Sequence, residues 1–438
     1  MAQFLSPYAN HRADEWGGSL ENRMRFLKEI AERVRKAVGH DFVLGMQISG
    51  DEFTPGGLSL DDYEVIVREI ERSIAINYIT VKACTYYCAN LIVPGMQHPL
   101  GLWVPLASAI RETVERLPIF CVGRINSPLL AERIIAEGHA DMMGMTRQHI
   151  ADPETMNKTK EGRVDDIREC IACNQGCIDT IYKGHHLTCI HNPAAGYERE
   201  LGIGTLDPAA ERNNVIVIGA GPGGMKVAET AARRGHQVTL IEKNEHLGGR
   251  VLLAAKVPYR EEFRGIIRYL EHQLSKLPVE IRTGQDATAA SVCALAQDAV
   301  VVATGSVPRK LGYESLRPDI REHNGIHQPN VLTCVEALQY DDRVGQRVLV
   351  VEDGESKWKV LSTAIYFAGQ GKEVEIVTPL FYAGTRIGAM SVGPLYTKLF
   401  ELGVKMTPLT GFKSIHGKTV TLFHSYTGEE RPNELITV

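Results

Sequence analysis

Short runs of apolar residues alternate with amphipathic stretches over the first 150 residues of the chain. The apolar runs predict four buried strands, at Phe42–Ile48, Tyr78–Val81, Ile119–Val122 and Met142–Met145. The amphipathic stretches repeat apolar residues at helical spacing and predict helices over Asn22–Val38, Leu60–Ile74, Pro105–Arg116 and Pro128–Glu137. Strands that alternate with helices in this way form a parallel sheet, and four such units predict half of a (β/α)8 barrel.

A second series of such patterns begins near residue 215 and predicts two nucleotide folds in tandem. The predicted elements are strand Val215–Ile218 with a glycine turn, a helix through Arg234, strands Gln237–Ile241 and Ala299–Gly305, a strand from Arg347, helix Val360–Ala368 and strand Glu373–Val377. Repeated βαβ units of this kind are typical of a Rossmann-like domain.

Together these patterns predict an α/β protein of three parts. The C-terminal half of a TIM barrel occupies residues 1–155, and an irregular, polar segment follows over 156–205. A Rossmann-like domain fills 206–438, with its second nucleotide fold starting at about residue 345. No strand is predicted before Gly17, although a barrel element has already begun there, and no strand or helix that would complete the second fold is predicted before Val438. We therefore expect a fragment whose second fold is truncated.

The composition narrows the classes of function. The 438 residues carry a formal net charge of −5 with a pI near 6.3, which offers no basic surface for nucleic acid or an anionic membrane. No apolar run approaches the roughly 18 residues of a membrane span, and the first residues lack the features of a signal peptide. Nine cysteines, an odd number, fit a reducing compartment, so we expect a cytoplasmic protein.

Four cysteines in the polar segment are spaced for a single metal centre. The segment reads C-I-A-C-N-Q-G-C, and a fourth cysteine follows after eleven further residues. Thiolates at such spacing can hold a [4Fe–4S] cluster, whereas zinc ribbons usually have two C-x2-C pairs. The predicted ligands are Cys170, Cys173, Cys177 and Cys189, with a structural zinc site as the alternative.

The glycine turn after the first strand of the Rossmann-like domain predicts a phosphate cradle. In V-I-V-I-G-A-G-P-G-G, Gly219 permits the tight turn, Gly221 lets the backbone approach a pyrophosphate, and Gly224 allows close packing of helix on strand. Glu242 closes the next strand, where its carboxylate can accept hydrogen bonds from a ribose. The loop that follows supplies two further candidates, Gly249 and Arg250. A purely structural glycine turn is the alternative.

The corresponding turn of the second nucleotide fold is degenerate. It reads Glu352-Asp353-Gly354-Glu355-Ser356-Lys357-Trp358 where glycines are expected. Carboxylates repel a pyrophosphate and a tryptophan blocks close approach, so we expect no tight nicotinamide nucleotide binding there. A fold retained for packing alone is the alternative.

Two arginines follow neighbouring strands of the predicted barrel. Gly123-Arg124 ends one strand, and Thr146-Arg147 follows the next. The loops after the last two strands of such barrels often hold a phosphate through backbone N–H groups. Arginine side chains there can add charge-assisted hydrogen bonds, so we predict a phosphate site, with surface ion pairs as the alternative.

These motifs together resemble the multidomain NADH:flavin oxidoreductases of the old yellow enzyme family, which include trimethylamine dehydrogenase, 2,4-dienoyl-CoA reductase and N-methylproline demethylases. The residues that carry the resemblance are Gln3-Phe4-Leu5-Ser6-Pro7, Asn10, Arg12, Trp16-Gly17-Gly18-Ser19, Glu21-Asn22-Arg23, Gly123-Arg124-Ile125, Arg147, Ala151-Asp152-Pro153, the four cysteines, Asn192-Pro193 and the Gly219 turn. The resemblance runs over nearly the whole chain.

The resemblance implies three cofactors: FMN at the barrel mouth, a [4Fe–4S] cluster at the barrel edge, and FAD (or ADP) in the following domain. By position it assigns Gly123, Arg124, Thr146 and Arg147 to the FMN phosphate, and the four cysteines to the cluster. It assigns Gly219, Gly221, Gly224, Glu242, Gly249 and Arg250 to the second nucleotide. It also places Gln47 at the flavin edge, where the family commonly has an arginine.

Departures from the family pattern favour an amine as the substrate. Thr85-Tyr86-Tyr87-Cys88 stands where dienoyl-CoA reductases carry G-W-H-E with a catalytic histidine. We expect oxidation of an N-methylated amine, with electrons passing from FMN to the cluster. Tyr86, Tyr87 and Trp103 are candidates for an aromatic cage around the ammonium group, or else they fill the barrel mouth.

Two other functions remain open at this point, and no catalytic residue is assigned. One is an NAD(P)H-dependent 2,4-dienoyl-CoA or enoate reductase, and the other is a non-catalytic electron-transfer fragment. The expected partners are a small N-methylated amine or enoyl compound, with an electron-transfer flavoprotein or NAD(P)H as the electron partner.

Overall fold

The computed structural model describes residues 1–295, 297–312, 317–355 and 357–434. The chain divides into two compact units, the first over residues 1–174 and the second from residue 175 onward. The division falls inside the segment that carries the four cysteines.

The first unit is built on one parallel sheet whose four strands follow chain order. The strands are β1 (Gly45–Ile48), β2 (Tyr78–Val81), β3 (Ile119–Val122) and β4 (Met142–Gly144). The helices are α1 (Ala2–Leu5), α2 (Leu20–Val38), α3 (Leu60–Ser73), α4 (Ala89–Ile92), α5 (Val104–Thr113), α6 (Pro128–Ala136), α7 (Thr146–Ala151) and α8 (Thr155–Lys160). Parallel strands separated by helices confirm the α/β pattern predicted for half of a barrel.

Helix α3 shows how the sequence fixes these elements. A capping box at its start pairs the Ser59 side chain with the Asp62 backbone and the Asp62 side chain with the Ser59 backbone. Its apolar face is fully buried at Ile66 and Ile70, in the same core as Ile79 of β2. Burial of each such side chain contributes roughly 1.5–3 kcal/mol, so this face holds the helix against the sheet.

Strand β1 is shorter than the apolar run that predicted it. Phe42 and Val43 are exposed, at 58% and 66%, and the strand begins only at Gly45. The carbonyl of Phe42 accepts a hydrogen bond of 2.7 Å from the buried guanidinium of Arg35, which also binds Asn77 at 2.9 Å. This segment is therefore held by a side chain of α2 and not by the sheet.

The second unit contains the two nucleotide folds and their surroundings. Its strands are β5 (Asn214–Ile218), β6 (Gln237–Ile241), β7 (Val279–Arg282), β8 (Ala299–Val302), β9 (Arg347–Val351), β10 (Glu373–Val377), β11 (Lys405–Thr407), β12 (Thr410–His416), β13 (Thr419–His424) and β14 (Glu430–Glu434). Its helices are α9 (Ile178–Ile181), α10 (Glu198–Leu201), α11 (Pro222–Arg233), α12 (Arg250–Ala254), α13 (Arg264–Ser275), α14 (Ala289–Cys293), α15 (Cys334–Gln339), α16 (Trp358–Ala368) and α17 (Ala389–Glu401).

Each nucleotide fold has its own parallel sheet, as predicted. The first has the order β7-β6-β5-β8 and the second the order β11-β10-β9. An antiparallel sheet, β12-β13-β14, was not predicted. Phe412 and Leu422 of this sheet share a core with Leu349 of β9, so the antiparallel sheet packs on the second nucleotide fold.

Within the described ranges, none of the helices combines the length and the apolar character that a bilayer crossing requires.

Candidate cofactor sites

The predicted phosphate loops of the first unit lie at the same edge of its sheet. Val122 of β3 pairs in parallel with Gly144 of β4, so the residues that follow the two strands lie next to each other. Gly123 has φ 141°, and a Cβ there would lie 2.3 Å from the indole of Trp103. Only glycine is compatible with both constraints, so the loop is shaped by the absence of a side chain.

Arg124 is held inside this loop. Its backbone has φ 59° and only 5% of the residue is exposed. Its Nε donates to the His98 carbonyl at 3.1 Å, and burial together with the arginine charge lowers the pKa of His98. A buried cation at a strand end favours the phosphate interpretation over a surface ion pair.

Arg147, in the first turn of α7 after β4, points to the cysteine segment. One of its terminal nitrogens donates to Asn174 Oδ1 at 2.8 Å. Asn174 is 1% exposed with φ 60°, and its own amide donates to the Val93 carbonyl at 2.9 Å. Thr146, which precedes Arg147, is the first residue of α7.

Cys170, the first cysteine, is hydrogen-bonded to residues that lie next to the two arginines. Asn126, two residues after Arg124, donates to the Cys170 carbonyl at 3.1 Å. Gln148, next to Arg147, accepts from the Cys170 N–H at 2.7 Å. The residues next to the predicted flavin phosphate contacts are therefore joined to the predicted cluster segment by hydrogen bonds from their side chains to its backbone.

Asn126, Gln148 and Asn174 are the site residues that sequence reasoning missed. Gln148 is fully buried and also donates to Thr155 Oγ1 at 2.9 Å and to the Arg168 carbonyl at 3.1 Å. Their only sequence signal was their position, because Asn126 and Gln148 follow the two predicted arginines closely.

The cysteines have the donor chemistry of a cluster site. The nine cysteines, all within the described residues, form no disulfide, and the four predicted ligands are all partly accessible. In the first unit, the Ala172 N–H donates to Cys170 Sγ at 3.4 Å, a contact that stabilises a thiolate. Positive φ angles at Ala172 and Asn174 curl the backbone around Cys173.

In the second unit, Gly176 brings the backbone of Cys189 next to Cys177. A Cβ on Gly176 would lie 3.0 Å from the Cys189 Cα, and the Thr188 N–H donates to the Gly176 carbonyl at 2.7 Å. The described residues contain no group of three or more histidine, cysteine, aspartate or glutamate side chains arranged to hold a metal ion. The cluster therefore stays a prediction from the donor set and its spacing.

The glycine turn of the first nucleotide fold has the close contacts of a cradle. Gly219 has φ 98°, and a Cβ there would lie 2.5 Å from the Ala303 carbonyl oxygen. A Cβ on Gly224 would lie 1.8 Å from the Gly219 carbonyl oxygen. A Cβ on Gly221, in contrast, would meet nothing within 4 Å. Gly221 therefore leaves open space at the N-terminus of α11, where a pyrophosphate binds favourably.

Glu242 stabilises this turn by a hydrogen bond to its backbone. The residue is 5% exposed, and its Oε2 accepts from the Ala220 N–H at 2.8 Å. Its Oε1 accepts from the Asn244 N–H at 2.9 Å and from the Asn244 side chain at 2.6 Å. Both oxygens already have protein partners, and a ribose contact stays a prediction that uses their remaining acceptor capacity.

The second loop of this cradle lies against the first. The Gly248 N–H donates to the Ala220 carbonyl at 2.8 Å, and a Cβ on Gly249 would lie 3.3 Å from the Gly221 Cα. Arg250 then begins α12. The residues predicted along the pyrophosphate therefore meet around Gly221.

The degenerate turn of the second fold is occupied by its own side chains. Glu352 is 1% exposed and accepts from the Thr378 hydroxyl and, at 3.4 Å, from the Gly384 N–H. Asp353 pairs with Lys359 at 3.0 Å. Glu352 thus points into the fold and is a structural residue, which supports the packing interpretation.

A cavity of about 480 Å³ in the second unit adjoins Arg250. Its apolar lining includes Leu253, Val257, Trp358, Phe367 and Phe412. Its cationic lining consists of Arg250, Arg260, Arg309, Lys310 and Lys359, and Asp353 is the one carboxylate among the lining residues described. An apolar space with an excess of positive charge suits a planar ring attached to phosphates.

The remaining candidates of the first unit separate into exposed and buried residues. Gln47 lies on β1 and is exposed. Tyr86 and Tyr87 are also exposed, at 82% and 63%. Trp103 is 5% exposed and packs on Gly123 and on the ring of Phe53, so it fills the loop and does not line an open cage.

Comparison with known proteins matches both parts of the chain. Residues 1–166 match the NADH:flavin oxidoreductase / NADH oxidase family, and residues 213–435 match the pyridine nucleotide-disulphide oxidoreductase family. The chain is 36% identical over 447 residues to an N,N-dimethylglycine/sarcosine dehydrogenase of Chromohalobacter salexigens, covering 100% of this chain and 63% of the relative. It is 41% identical over 409 residues to an NADH oxidase of Thermoanaerobacter brockii, covering 92% of this chain and 60% of the relative.

Solved structures show the same architecture. A 2-naphthoyl-CoA reductase aligns with a TM-score of 0.90 at 32% identity, over 100% of this chain and 64% of that protein. A histamine dehydrogenase from Rhizobium sp. 4-9 aligns with a TM-score of 0.91 at 28% identity, over 99% of this chain and 63% of that protein. The chain thus spans about three fifths of the length of these relatives.

Proposed function

Because the chain belongs to the NADH:flavin oxidoreductases of the old yellow enzyme family, in their multidomain form, we propose that it serves the oxidation of an N-methylated amine. The substrate loses a hydride from the carbon next to nitrogen, which leaves an iminium ion that water hydrolyses. FMN supplies the hydride acceptor and a [4Fe–4S] cluster supplies one-electron transfer. Similarity to an N,N-dimethylglycine/sarcosine dehydrogenase supports this substrate class.

The observation that carries this proposal is the attachment of Cys170 to both predicted phosphate loops. Asn126 binds its carbonyl and Gln148 binds its N–H. Side chains next to the proposed flavin phosphate residues thus also bind the first proposed cluster ligand, which supports an electron path between the two cofactors. A zinc site gives no reason for such a coupling, because zinc has no redox chemistry.

The residues proposed to hold each cofactor are those predicted from the sequence. Gly123, Arg124, Thr146 and Arg147 hold the FMN phosphate, with Gln47 at the flavin ring. Cys170, Cys173, Cys177 and Cys189 hold the cluster. Gly219, Gly221, Gly224, Glu242, Gly249 and Arg250 hold the second nucleotide. The electron partner is an electron-transfer flavoprotein, and the odd number of cysteines favours a cytoplasmic location.

The second nucleotide is proposed to be FAD and not ADP. FAD carries a ring system beyond its pyrophosphate, and the cavity beside Arg250 offers an apolar space of suitable size. ADP would leave that space unfilled. Heat denaturation of the purified protein should release FAD, identified by chromatography. Ala254→Trp, which places a ring in the cavity, should exchange FAD for ADP, whereas ADP in the unmodified protein would contradict the assignment.

The amine reaction is tested by anaerobic reduction of the purified protein loaded with FMN, iron and sulfide. Dimethylglycine, sarcosine and N-methylproline are added in turn, and flavin absorbance is followed. Bleaching by at least one amine is expected. Rapid bleaching by NADPH or NADH with none by any amine would overturn the proposal.

The second candidate is an NAD(P)H-dependent enoate or dienoyl-CoA reductase. The specific observation in its favour is the 41% identity to an NADH oxidase. The inward orientation of Glu352 and the ion pair at Asp353 argue against nucleotide binding by the second fold. The bleaching experiment distinguishes the two reactions.

A further inference from the structure

The loop after β2 is bracketed by two cysteines. Cys84 precedes it and Cys88 ends it, with Thr85, Tyr86 and Tyr87 between them. Cys84 is 1% exposed and has φ 73°, which is an uncommon conformation for a residue with a side chain. Strained backbone of this kind is often found at functional positions.

Both cysteines dock on the same neighbouring loop, the one that follows β1. The Cys84 N–H donates to the Asp51 carbonyl at 2.8 Å, and its own carbonyl accepts from the Ser49 hydroxyl at 3.1 Å. The Cys88 Sγ donates to the Glu52 carbonyl at 3.1 Å. Because Asp51 and Glu52 are adjacent, the two cysteines are fixed against consecutive residues.

The chain also folds back between the two cysteines. The Cys88 N–H donates to the Thr85 carbonyl at 3.1 Å, and residues 86–88 form a short 3-10 turn. Burial raises the pKa of the Cys84 thiol, and the nearby Cys88 thiol raises it further. The turn and the shared contacts with the loop after β1 therefore keep Cys84 and Cys88 near each other.

We propose that Cys84 and Cys88 form a redox-active dithiol that hydrogen peroxide converts to a disulfide, closing a ring around Tyr86 and Tyr87. Hydrogen peroxide forms when dioxygen takes two electrons, together with two protons, from a reduced flavin. Cys88 is the attacking thiol because it is partly accessible, whereas Cys84 is buried.

The step balances in two stages. The Cys88 sulfur attacks one peroxide oxygen, the O–O bond breaks, and water leaves as a sulfenic acid forms. The Cys84 sulfur then attacks the Cys88 sulfur, and the hydroxyl leaves as a second water with the Cys84 proton. Two thiols and one peroxide thus give one disulfide and two waters.

One tryptic peptide reports the reaction directly. Cleavage after Lys82 and Arg111 releases residues 83–111, which contain Cys84 and Cys88 and no other cysteine. After peroxide treatment of the protein, this peptide should resist alkylation and be lighter by about 2 Da, and dithiothreitol should reverse both changes. The exposed thiol of Cys293 indicates within the same sample that peroxide has reacted.

Matched variants assign the roles of the two thiols. Cys88→Ser should leave Cys84 as a free thiol, and Cys84→Ser should stop Cys88 at a sulfenic acid that dimedone traps. Cys121→Ser removes another buried thiol and should leave the disulfide unaffected. A peptide that still carries two alkylated cysteines after Cys293 is oxidised, or a disulfide from either residue to a third cysteine, would overturn the proposal.

The effect on the substrate rests on the proposed function and is measured separately. Ring closure fixes the two exposed tyrosines, so the amine concentration that half-saturates flavin bleaching should rise about threefold or more in the oxidised protein. If the disulfide forms and no amine bleaches the flavin, the proposed substrate is wrong while the dithiol stands. If amines bleach equally well in both states, the disulfide does not regulate the site.

Discussion

A single buried amide, Gln148, connects three parts of the first unit. Its oxygen accepts from Cys170, and its nitrogen donates to the Thr155 hydroxyl and to the Arg168 carbonyl. Gln148 and Thr155 are both fully buried, so the Thr155 hydroxyl has little access to water as a replacement partner if the Gln148 amide is removed. Gln148 should therefore contribute more to the free energy of unfolding than its position beside Arg147 suggests.

Replacement of Gln148 by leucine should loosen the cysteine segment. The change removes the hydrogen bonds that Gln148 makes with the Cys170 N–H and the Arg168 carbonyl, at about 1–3 kcal/mol for each bond lost. We expect iron content to fall by more than half, as measured colorimetrically on anaerobically prepared protein, and the free energy of unfolding to fall by about 2–4 kcal/mol. His149→Ala, at the exposed neighbour on α7, should change neither, and equal iron in both variants would contradict this role.

At the scale of elements, the strand–turn–helix of the first nucleotide fold uses different glycines for folding and for nucleotide binding. Gly219 and Gly224 are required by contacts within the protein, whereas Gly221 faces open space. A change at Gly221 therefore affects what approaches the turn and leaves the turn itself intact.

Gly221→Ala should lose the nucleotide without losing stability. The backbone at Gly221 has φ −71°, which alanine adopts easily, and the added methyl meets no protein atom within 4 Å. Bound nucleotide should fall at least about tenfold, while the free energy of unfolding in the absence of nucleotide stays within about 0.5 kcal/mol. Gly223→Ala, also in open space, is the matched control and should retain nucleotide.

The two nucleotide folds are joined by a small polar contact. Lys256, just after α12, donates to Asp341 at 2.8 Å, and the Tyr366 hydroxyl of α16 donates to the same oxygen at 2.6 Å. The Lys256 hydrogen bond, followed by that of Tyr366, lowers the pKa of Asp341 to about 2.

Asp341→Asn should therefore destabilise the protein in a pH-dependent way. The folded pKa lies below the unfolded value, so the contribution is present above about pH 4 and is lost as pH falls towards 2. Because the Asp341 side chain is 34% exposed, we expect only about 1 kcal/mol at pH 7, measured by urea unfolding. Asp342→Asn, at an exposed neighbour, should show no such difference between pH 7 and pH 3.

Several of the elements that sequence patterns predicted have a regular pattern of burial. Strands β5 and β9 carry unbroken, buried apolar runs, which is typical of parallel sheets covered on both faces. Strand β8 was predicted as a buried strand from its apolar run, but it is largely exposed, with Val302 at 71%. The antiparallel sheet was missed because its alternation is broken: the register shifts between Phe412 and Ser414. The start of β1 was misplaced because Arg35 binds Phe42 from outside the sheet, a tertiary contact that no local pattern contains.

At the scale of the whole molecule, the chain combines a barrel sheet, a cysteine segment and two nucleotide folds. The cysteine segment and the first nucleotide fold use different chemistry, thiolates for one and backbone N–H groups for the other. Loss of one cofactor therefore need not remove the other.

Cys177→Ser should remove the cluster and leave the second nucleotide bound. Anaerobically prepared protein should contain about four iron and about four sulfide per chain, and the variant should lose most of both while keeping its FAD. The reverse pattern, iron retained and FAD lost, is expected for Gly221→Ala. Stoichiometric zinc without iron or sulfide in the unmodified protein would exclude the electron path.

The inward carboxylate of Glu352 also limits how the second fold can change. Glu352 stands where Gly219 stands in the first fold, directly after the strand, so a restored phosphate turn would need a glycine there. That single exchange would strip the Thr378 hydroxyl and the Gly384 N–H of their shared acceptor inside the protein. A phosphate turn at this position would therefore require coordinated replacements at several residues, because the Glu352 carboxylate holds together the segments around it.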